Sequence, residues 1–267
     1  MLTEEQVQVA AERLYKAEKN REQIPALTLD YPKMSMDDAY KIQSRWVERK
    51  KNEGAEVKGY KIGLTSRAMQ MAVNIDQPDY GVLLDDMFFS DGAQIPVADF
   101  LDPRIEVELA FVLKEKLEGE NITIFDVLNA TDYVIPALEL IAARCYRTDP
   151  ETGYTRKVYD TIADNAANAG IILGGRPIKP NEIDLRWVGA MLYLNGQIEE
   201  TGLAGGVLGH PANGICWVCK RFAPHGVSLE AGQVILAGSF TRPVCVKEGD
   251  TIHADFGSLG GISVKFV

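Results

Sequence analysis

The chain has 267 residues, 46% of them hydrophobic, which is ample for a large core and permits one domain or a main domain with a small appendage. Lys and Arg number 28 against 38 Asp and Glu, a net charge of -10, which argues against nucleic acid or an anionic membrane as partner, since both reward clustered positive charge. With no apolar run of membrane-spanning length and no charged-then-apolar start, a soluble cytoplasmic protein is expected.

Residues 1–55 read as a small helical N-terminal part. Thr3 with Gln6 makes a capping-box start, and Val7, Ala10, Leu14 and Ala17 follow at helical spacing. A second helix starts near Ser35, with Asp38 three residues on, and carries Ala39, Ile42 and Trp46 before the polar end ERKKNEG. IPALTLDYP, between them, reads as a loop of extended character.

Residues 56–267 read as a β-rich body of short segments punctuated by Gly and Pro. The predicted strands are 57–64, 80–84, 104–114, 131–142, 168–174, 186–194, 197–201, 233–238, 250–256 and 261–267. Asn195-Gly196, between two apolar runs, is a strong hairpin signal. One helix, HPANGICWVCKRF at 210–222, follows the glycine-rich TGLAGGVLG. The class is α+β. Helix and strand do not alternate regularly, which argues against a doubly wound sheet or a (β/α)8 barrel.

The segment PRIEVELAFVL, 103–113, carries the strongest chemical signal. Ile105, Val107, Leu109, Phe111 and Leu113 fall on one side of the predicted strand, and Glu106, Glu108, Ala110 and Val112 on the other. A solvent-facing side would stay polar; this one turns apolar after two carboxylates. Acids two apart on a strand point the same way, with β-carbons roughly 6–7 Å apart, so they repel and call for a positive partner. Two ordinary salt bridges would serve, and so would a hard divalent cation. YVIPALELIAAR, 133–144, embeds one further acid, Glu139, in an apolar run. Three acids set in apolar strands match an open Mg2+ or Mn2+ site with positions free for a chelating substrate.

Lys61, in VKGYKIGLTS, sits in an apolar strand bearing Gly59 and Gly63, which allow close backbone approach to a ligand. Burial lowers a lysine pKa and makes it usable as an acid or base; snorkelling at a strand edge is the alternative. Asp79, in QPDYGVLLDDMFF, stands where a turn-forming Asp is common. Four cysteines, Cys145, Cys216, Cys219 and Cys245, are too few and irregular for a disulfide framework. Cys216 and Cys219 form C-x-x-C without a second ligand pair and read as helix positions. The loop at 202–209 lacks the lysine and Ser/Thr of a phosphate loop. His210, His225 and His253 are scattered and read as structural.

The blocks KGYKIGLTS, PDYGVLLDDMFF, PRIEVELAFVL, TDYVIPALELI, DNAANAGIILGGRP and LEAGQVILAGSFTRPV together resemble the hydratases of bacterial meta-cleavage pathways, within the hydratase/decarboxylase branch of the fumarylacetoacetate hydrolase superfamily. The resemblance covers nearly the whole chain. It implies a mixed β-roll with peripheral helices, homo-oligomeric assembly, and a Mg2+-type ion (or Mn2+) held by Glu106, Glu108 and Glu139. It also implies Lys61 as a catalytic group, Asp79 at the active-site rim, and substrate contacts from Lys157, in RKVYD, and Ser239, in AGSFT. The motif around Lys157 departs from that of the superfamily's hydrolases. The implied reaction is water addition at C4 of 2-oxohept-4-ene-1,7-dioate, giving 4-hydroxy-2-oxoheptanedioate in homoprotocatechuate catabolism, with Lys61 and Asp79 moving protons. Hydration of 2-hydroxypenta-2,4-dienoate and decarboxylation of a 4-oxalocrotonate-type acid use the same triad, and a non-catalytic divalent-ion-binding oligomer is a reading of another class. A dioate needs a cation for its distal carboxylate, with Arg144, Arg147 and Arg242 as candidates.

Overall fold

The computed structural model describes residues 1–72 and 75–267. Reciprocal caps start both long helices. Thr3 Oγ1 accepts from the Gln6 amide and Gln6 Oε1 accepts from the Thr3 amide, opening α1, Glu4–Asn20. Between the long helices, where an extended loop is expected, Leu27–Asp30 forms a single helical turn, α2. Its cause is distant: Asp160 accepts from the Thr28 amide at 2.8 Å and from its hydroxyl at 2.6 Å. Ser35 and Asp38 repeat the reciprocal cap for α3, Met36–Lys51, satisfying donors that a first helical turn leaves open. The apolar stripes of α1 and α3, with Leu14, Ile42 and Trp46 fully buried, share one cluster with Val82, Leu84 and Ile162. The helical part therefore packs directly on the β-rich body.

Among the described residues the further helices are α4, Arg67–Ala72; α5, Ile124–Ala130; α6, Val158–Ala163; and α7, Ala212–Phe222. The strands are β1, Val57–Gly63; β2, Asp79–Leu84; β3, Phe88–Ser90; β4, Gln94–Ile95; β5, Arg104–Leu113; β6, Thr131–Ile141; β7, Asn168–Leu173; β8, Gly189–Leu194; β9, Gln197–Leu203; β10, Val234–Leu236; β11, Val244–Cys245; β12, Thr251–Asp255; and β13, Gly261–Phe266. They form two mixed sheets, one ordered β2-β1-β10-β5-β6-β7-β3 with β11 beside β5, the other β4-β13-β12-β8-β9. The α+β class expected from the sequence holds. Among the described residues no helix is long and apolar enough to cross a membrane.

The local signals hold where their causes are local. Asn195 and Gly196 both take positive φ, 52° and 80°, so the turn twists with the β8–β9 hairpin, which closes at Leu194↔Gln197. Differences arise where tertiary contacts act. The strand expected from 186 starts at Gly189, because Leu185–Trp187 coils into a tight turn capped by Asp184. The hairpin's second strand reaches Leu203, because Gly202 and Leu203 still pair with Ala190 and Gly189 of β8. β3, β4 and β11 have only two or three residues, too few to show a period.

Gly59 serves the sheet rather than a ligand. A Cβ there would lie 1.8 Å from the Val234 carbonyl oxygen, against which β1 pairs in parallel. Gly59→Ala is expected to cost roughly 3 kcal/mol by forcing these strands apart. Urea melts check it: an unchanged midpoint would mean that the strands part without penalty.

Candidate active site

β5 has its core side as expected: Ile105, Val107, Leu109, Phe111 and Leu113 are all buried in the main cluster. Its other side explains the two glutamates. β5 pairs antiparallel with β6 so that Glu106 stands directly opposite Glu139, with Glu108 on the same face two residues along. Carboxylate oxygens of Glu106, Glu108 and Glu139 all lie within 4.8 Å of one another. Ala137 stands opposite Glu108 and Leu236 opposite Ala110, and these three apolar residues share one buried cluster.

Glu108 and Glu139 are buried and Glu106 is half-buried. Burial, then the charge of Glu139, pushes the Glu106 carboxyl up to about 7. The same two causes, with Glu106 added, hold Glu108 well above the carboxylate range. Some compensation is built in. Glu108 Oε2 accepts from the Gly238 amide at 2.8 Å, and Glu139 Oε1 accepts from Asn168 Nδ2 at 2.8 Å. Glu139 Oε2 has no hydrogen-bond partner among the described residues. Three converging carboxylates, one oxygen unsatisfied and no nitrogen or sulfur donor among them, suit a hard divalent cation. A divalent metal ion fits this site.

Lys61 reaches the triad through sheet register. β1 pairs with β10 at Lys61↔Leu236, and β10 with β5 at Leu236↔Ala110, so Lys61 stands in line with the residue two beyond Glu108. Its Nζ is buried and lies 3.3 Å from Glu139 Oε1. It does not snorkel. The direction of its pKa, however, reverses the expectation from burial. Burial opposes the charge, but Glu139, Asp79, Glu106 and Glu108 together hold the ammonium above its ordinary value.

Asp79 lies opposite Gly63 where β2 meets β1. A Cβ on Gly63 would sit 2.2 Å from Asp79 Oδ1 and 3.2 Å from Lys61 Nζ, so this glycine makes room for the acid and the amine. Asp79 is buried, and its Oδ1 has no hydrogen-bond partner among the described residues. Burial raises its carboxyl above the ordinary range; Lys61 opposes the shift and Glu139 adds to it.

A cavity of about 610 Å³ joins these five residues with Lys157 and Ser239. Lys157 stands exposed at the rim, at the start of α6, its amide donating to Asp160 Oδ2 at 2.8 Å. Ser239 is half-buried, and its hydroxyl is engaged by its own turn, donating to the Thr241 carbonyl at 2.9 Å. Of the arginines considered for a distal carboxylate, Arg147 and Arg242 line the cavity and Arg144 does not. Arg144 is buried against Asp164, with further bonds to the Asp164 and Asn168 carbonyls. Sequence reasoning missed Arg156, which lines the cavity from a loop with no period, and Asn168. A polar amide heading the apolar NAGIIL was the one available hint of Asn168.

None of the three histidines lines this cavity. His210 Nδ1 accepts from the Ala212 amide at 3.1 Å, at the entry to α7. Cys219 is buried and Cys216 half-buried, both packed in the main core. Burial lifts the Cys216 thiol to about 11 and Cys219 to about 12, so neither is poised as a thiolate at neutral pH. Replacing both with Ala is expected to leave metal content and redox response unchanged and to lower stability by about 2 kcal/mol. Elemental analysis and melts under oxidant and reductant decide it; metal lost with the thiols would overturn it.

Residues 48–267 match the family described as Fumarylacetoacetate (FAA) hydrolase C-terminal. The chain is 64% identical over 257 residues to 2-oxo-hept-4-ene-1,7-dioate hydratase of Escherichia coli, spanning 96% of each. It is 38% identical to 2-keto-4-pentenoate hydratase of Paraburkholderia xenovorans (strain LB400), over 99% of this chain and 96% of that one. Among solved structures, 4-oxalocrotonate decarboxylase from Pseudomonas putida G7, complexed with magnesium and adipate, matches with TM-score 0.94 and 35% identity over 100% of this chain and 99% of that one. With this sequence match and this fold, the chain belongs to the fumarylacetoacetate hydrolase family.

Proposed function

We propose that the protein is a divalent-metal-dependent hydro-lyase that adds water to 2-oxohept-4-ene-1,7-dioate, giving 4-hydroxy-2-oxoheptanedioate in the breakdown of 4-hydroxyphenylacetate through homoprotocatechuate. The observation that carries this reading is the 64% identity across 96% of the chain to the Escherichia coli hydratase. The cavity supports it by gathering three carboxylates, a lysine and an aspartate around one space.

In this reading Glu106, Glu108 and Glu139 hold Mg2+ or Mn2+. The ion supplies Lewis acidity toward the 2-oxo oxygen of a bound substrate. Lys61 Nζ, charged in the resting site, donates a proton to the substrate carbon skeleton. Asp79, its carboxyl raised by burial, accepts the proton released by the water whose hydroxyl adds at C4 and returns it to the Lys61 amine, so the net change is one water added. With the triad's charge neutralised by a bound cation, Asp79 would remain the counter-charge of the Lys61 ammonium while burial opposes its charge. Lys157, at the rim, attracts the anionic substrate, and Ser239 shapes the wall beside it.

Residues 56–267 carry the chemistry in this reading and residues 1–55 form a supporting helical part; every cavity-lining residue falls in the former. The reading also places the protein in the cytoplasm as a homo-oligomer. Phe125 and Trp187, 75% and 73% exposed, are apolar surface that such an assembly would cover.

Decarboxylation is the second reading, favoured by the TM-score of 0.94 to the decarboxylase and disfavoured by the lower identity. One panel separates them. The purified protein is given the seven-carbon dienedioate, the five-carbon 2-hydroxypenta-2,4-dienoate and 4-oxalocrotonate, with and without EDTA, while diene loss and CO2 are followed. Hydration of the dioate, abolished by EDTA and without CO2, is expected. CO2 release from 4-oxalocrotonate would establish the second reading, and no turnover on any of the three acids would end both.

A further inference from the structure

The cavity that holds the triad also carries a basic pole, Arg147 and Arg156. Arg147 and Arg156 stand opposite each other across a short turn, the Arg156 amide donating to the Arg147 carbonyl at 3.0 Å. The adjoining bridge is Thr148↔Thr155. Like charges placed directly opposite on paired strands repel, and these two side chains are only 23% and 9% exposed.

Their counter-charge is incomplete. Arg147 Nε donates to Asp102, while Arg147 Nη2 has no hydrogen-bond partner among the described residues. Asp164 Oδ2, 3.9 Å from Arg156 Nη1, is beyond hydrogen-bond reach, and Asp164 is already taken by Arg144. Arg156 Nη1 is likewise without a partner among the described residues. Burial first, then the charges of Arg156 and Arg104, lowers the Arg147 guanidinium from its ordinary value. Buried donors left open cost free energy unless something fills them. What is missing is an anion, and the planar fork of a guanidinium matches a carboxylate.

We propose that Arg147 and Arg156 bind the distal carboxylate of a dicarboxylic 2-oxo acid whose 2-oxo-carboxylate end lies at the glutamate triad, and so select dioates over monoacids. The near end rests on the function proposed above; the basic pole rests on its own geometry. One cavity then has an acidic pole that accepts an anion only through a cation, and a basic pole that accepts one directly. Arg242, which pairs with Glu200 at 2.6 Å and is 82% exposed, does not share this role.

The test uses two probes that differ only at the far end, 2-oxoheptanedioate and 2-oxoheptanoate. Their binding is measured by calorimetry with Mg2+ present, on the wild-type protein, Arg156→Gln, Arg147→Gln and Arg156→Lys. Wild type is expected to prefer the dioate. Either Gln variant should weaken the dioate by roughly 10- to 150-fold, the worth of a charged hydrogen bond, and the monoacid far less. Arg156→Lys keeps the charge without the fork and should fall between, which preserves the test if a Gln variant does not fold. In turnover the discrimination between seven- and five-carbon substrates should collapse through KM rather than kcat. Equal losses on both probes, or an undiminished dioate affinity, would overturn the assignment. Wild-type preference for the dioate without any hydration would remove the proposed function and leave this site standing. Hydration with no change of KM in the Gln variants would do the reverse.

Discussion

Glu108→Gln is expected to leave the fold intact and to cut turnover by at least ~10³-fold, the scale of losing preorganised electrostatic stabilisation at a reacting oxygen. The side chain keeps its shape, and its carbonyl oxygen can still accept from the Gly238 amide, which now bonds Glu108 at 2.8 Å. What it loses is one of three carboxyl groups whose oxygens gather within 4.8 Å, and with it affinity for a divalent ion. The metal-free protein should respond in the opposite sense, because the substitution relieves a buried repulsion. Glu106 binds its proton more tightly folded than unfolded, from an ordinary value of 4.5 up to about 7. The folded state therefore holds more protons across that window, and stability falls as pH rises through it. With EDTA, wild-type melting temperature is expected to drop between pH 5 and pH 7.5. Glu108→Gln should drop less, and saturating Mg2+ should remove most of the slope. Calorimetry in the three conditions checks this. A flat EDTA profile would mean that the carboxylates are not mutually strained, and undiminished turnover would detach them from the reaction.

Lys61→Met should keep the metal and lose the chemistry. The methionine keeps a long buried side chain beside Gly63, while the amine 3.3 Å from Glu139 Oε1 disappears. Turnover is expected to fall by ~10²–10⁴-fold, the range for a positioned acid or base. Mg2+ affinity should hold or rise, since a cation that competes for Glu139 has gone. The metal-free variant should be less stable by about 3–5 kcal/mol, because removing one partner of a buried pair leaves the other charge uncompensated. Titration calorimetry with Mg2+ and single-turnover kinetics separate the two readouts. Near-normal turnover would pass the proton transfer to another group, with Asp79 the next to replace.

Features that depend on neighbours within a turn or a strand can be read directly from the residues. Thr3 with Gln6 and Ser35 with Asp38 are complete caps inside four residues, and Asn195-Gly196 supplies its own positive φ. Glu106, Glu108 and Glu139 were legible for a related reason: a carboxylate in an apolar strand is costly enough that its presence points to a compensating partner. The other features arise from contacts between distant segments. The β5–β6 register turns residues more than thirty positions apart into the cross-strand pair Glu106↔Glu139. Lys61 arrives by way of β10, a three-residue strand far along the chain. Its pKa direction could not be inferred from its own segment, because the carboxylates that outweigh burial come from β2, β5 and β6. Arg144 and Arg156 show the same limit from both sides. One was a reasonable candidate that the fold pairs with Asp164, and the other sits in an aperiodic loop that the fold turns toward the cavity. Charges interact across space, with a strength set by distance and burial, and both of those quantities exist only once the chain has folded.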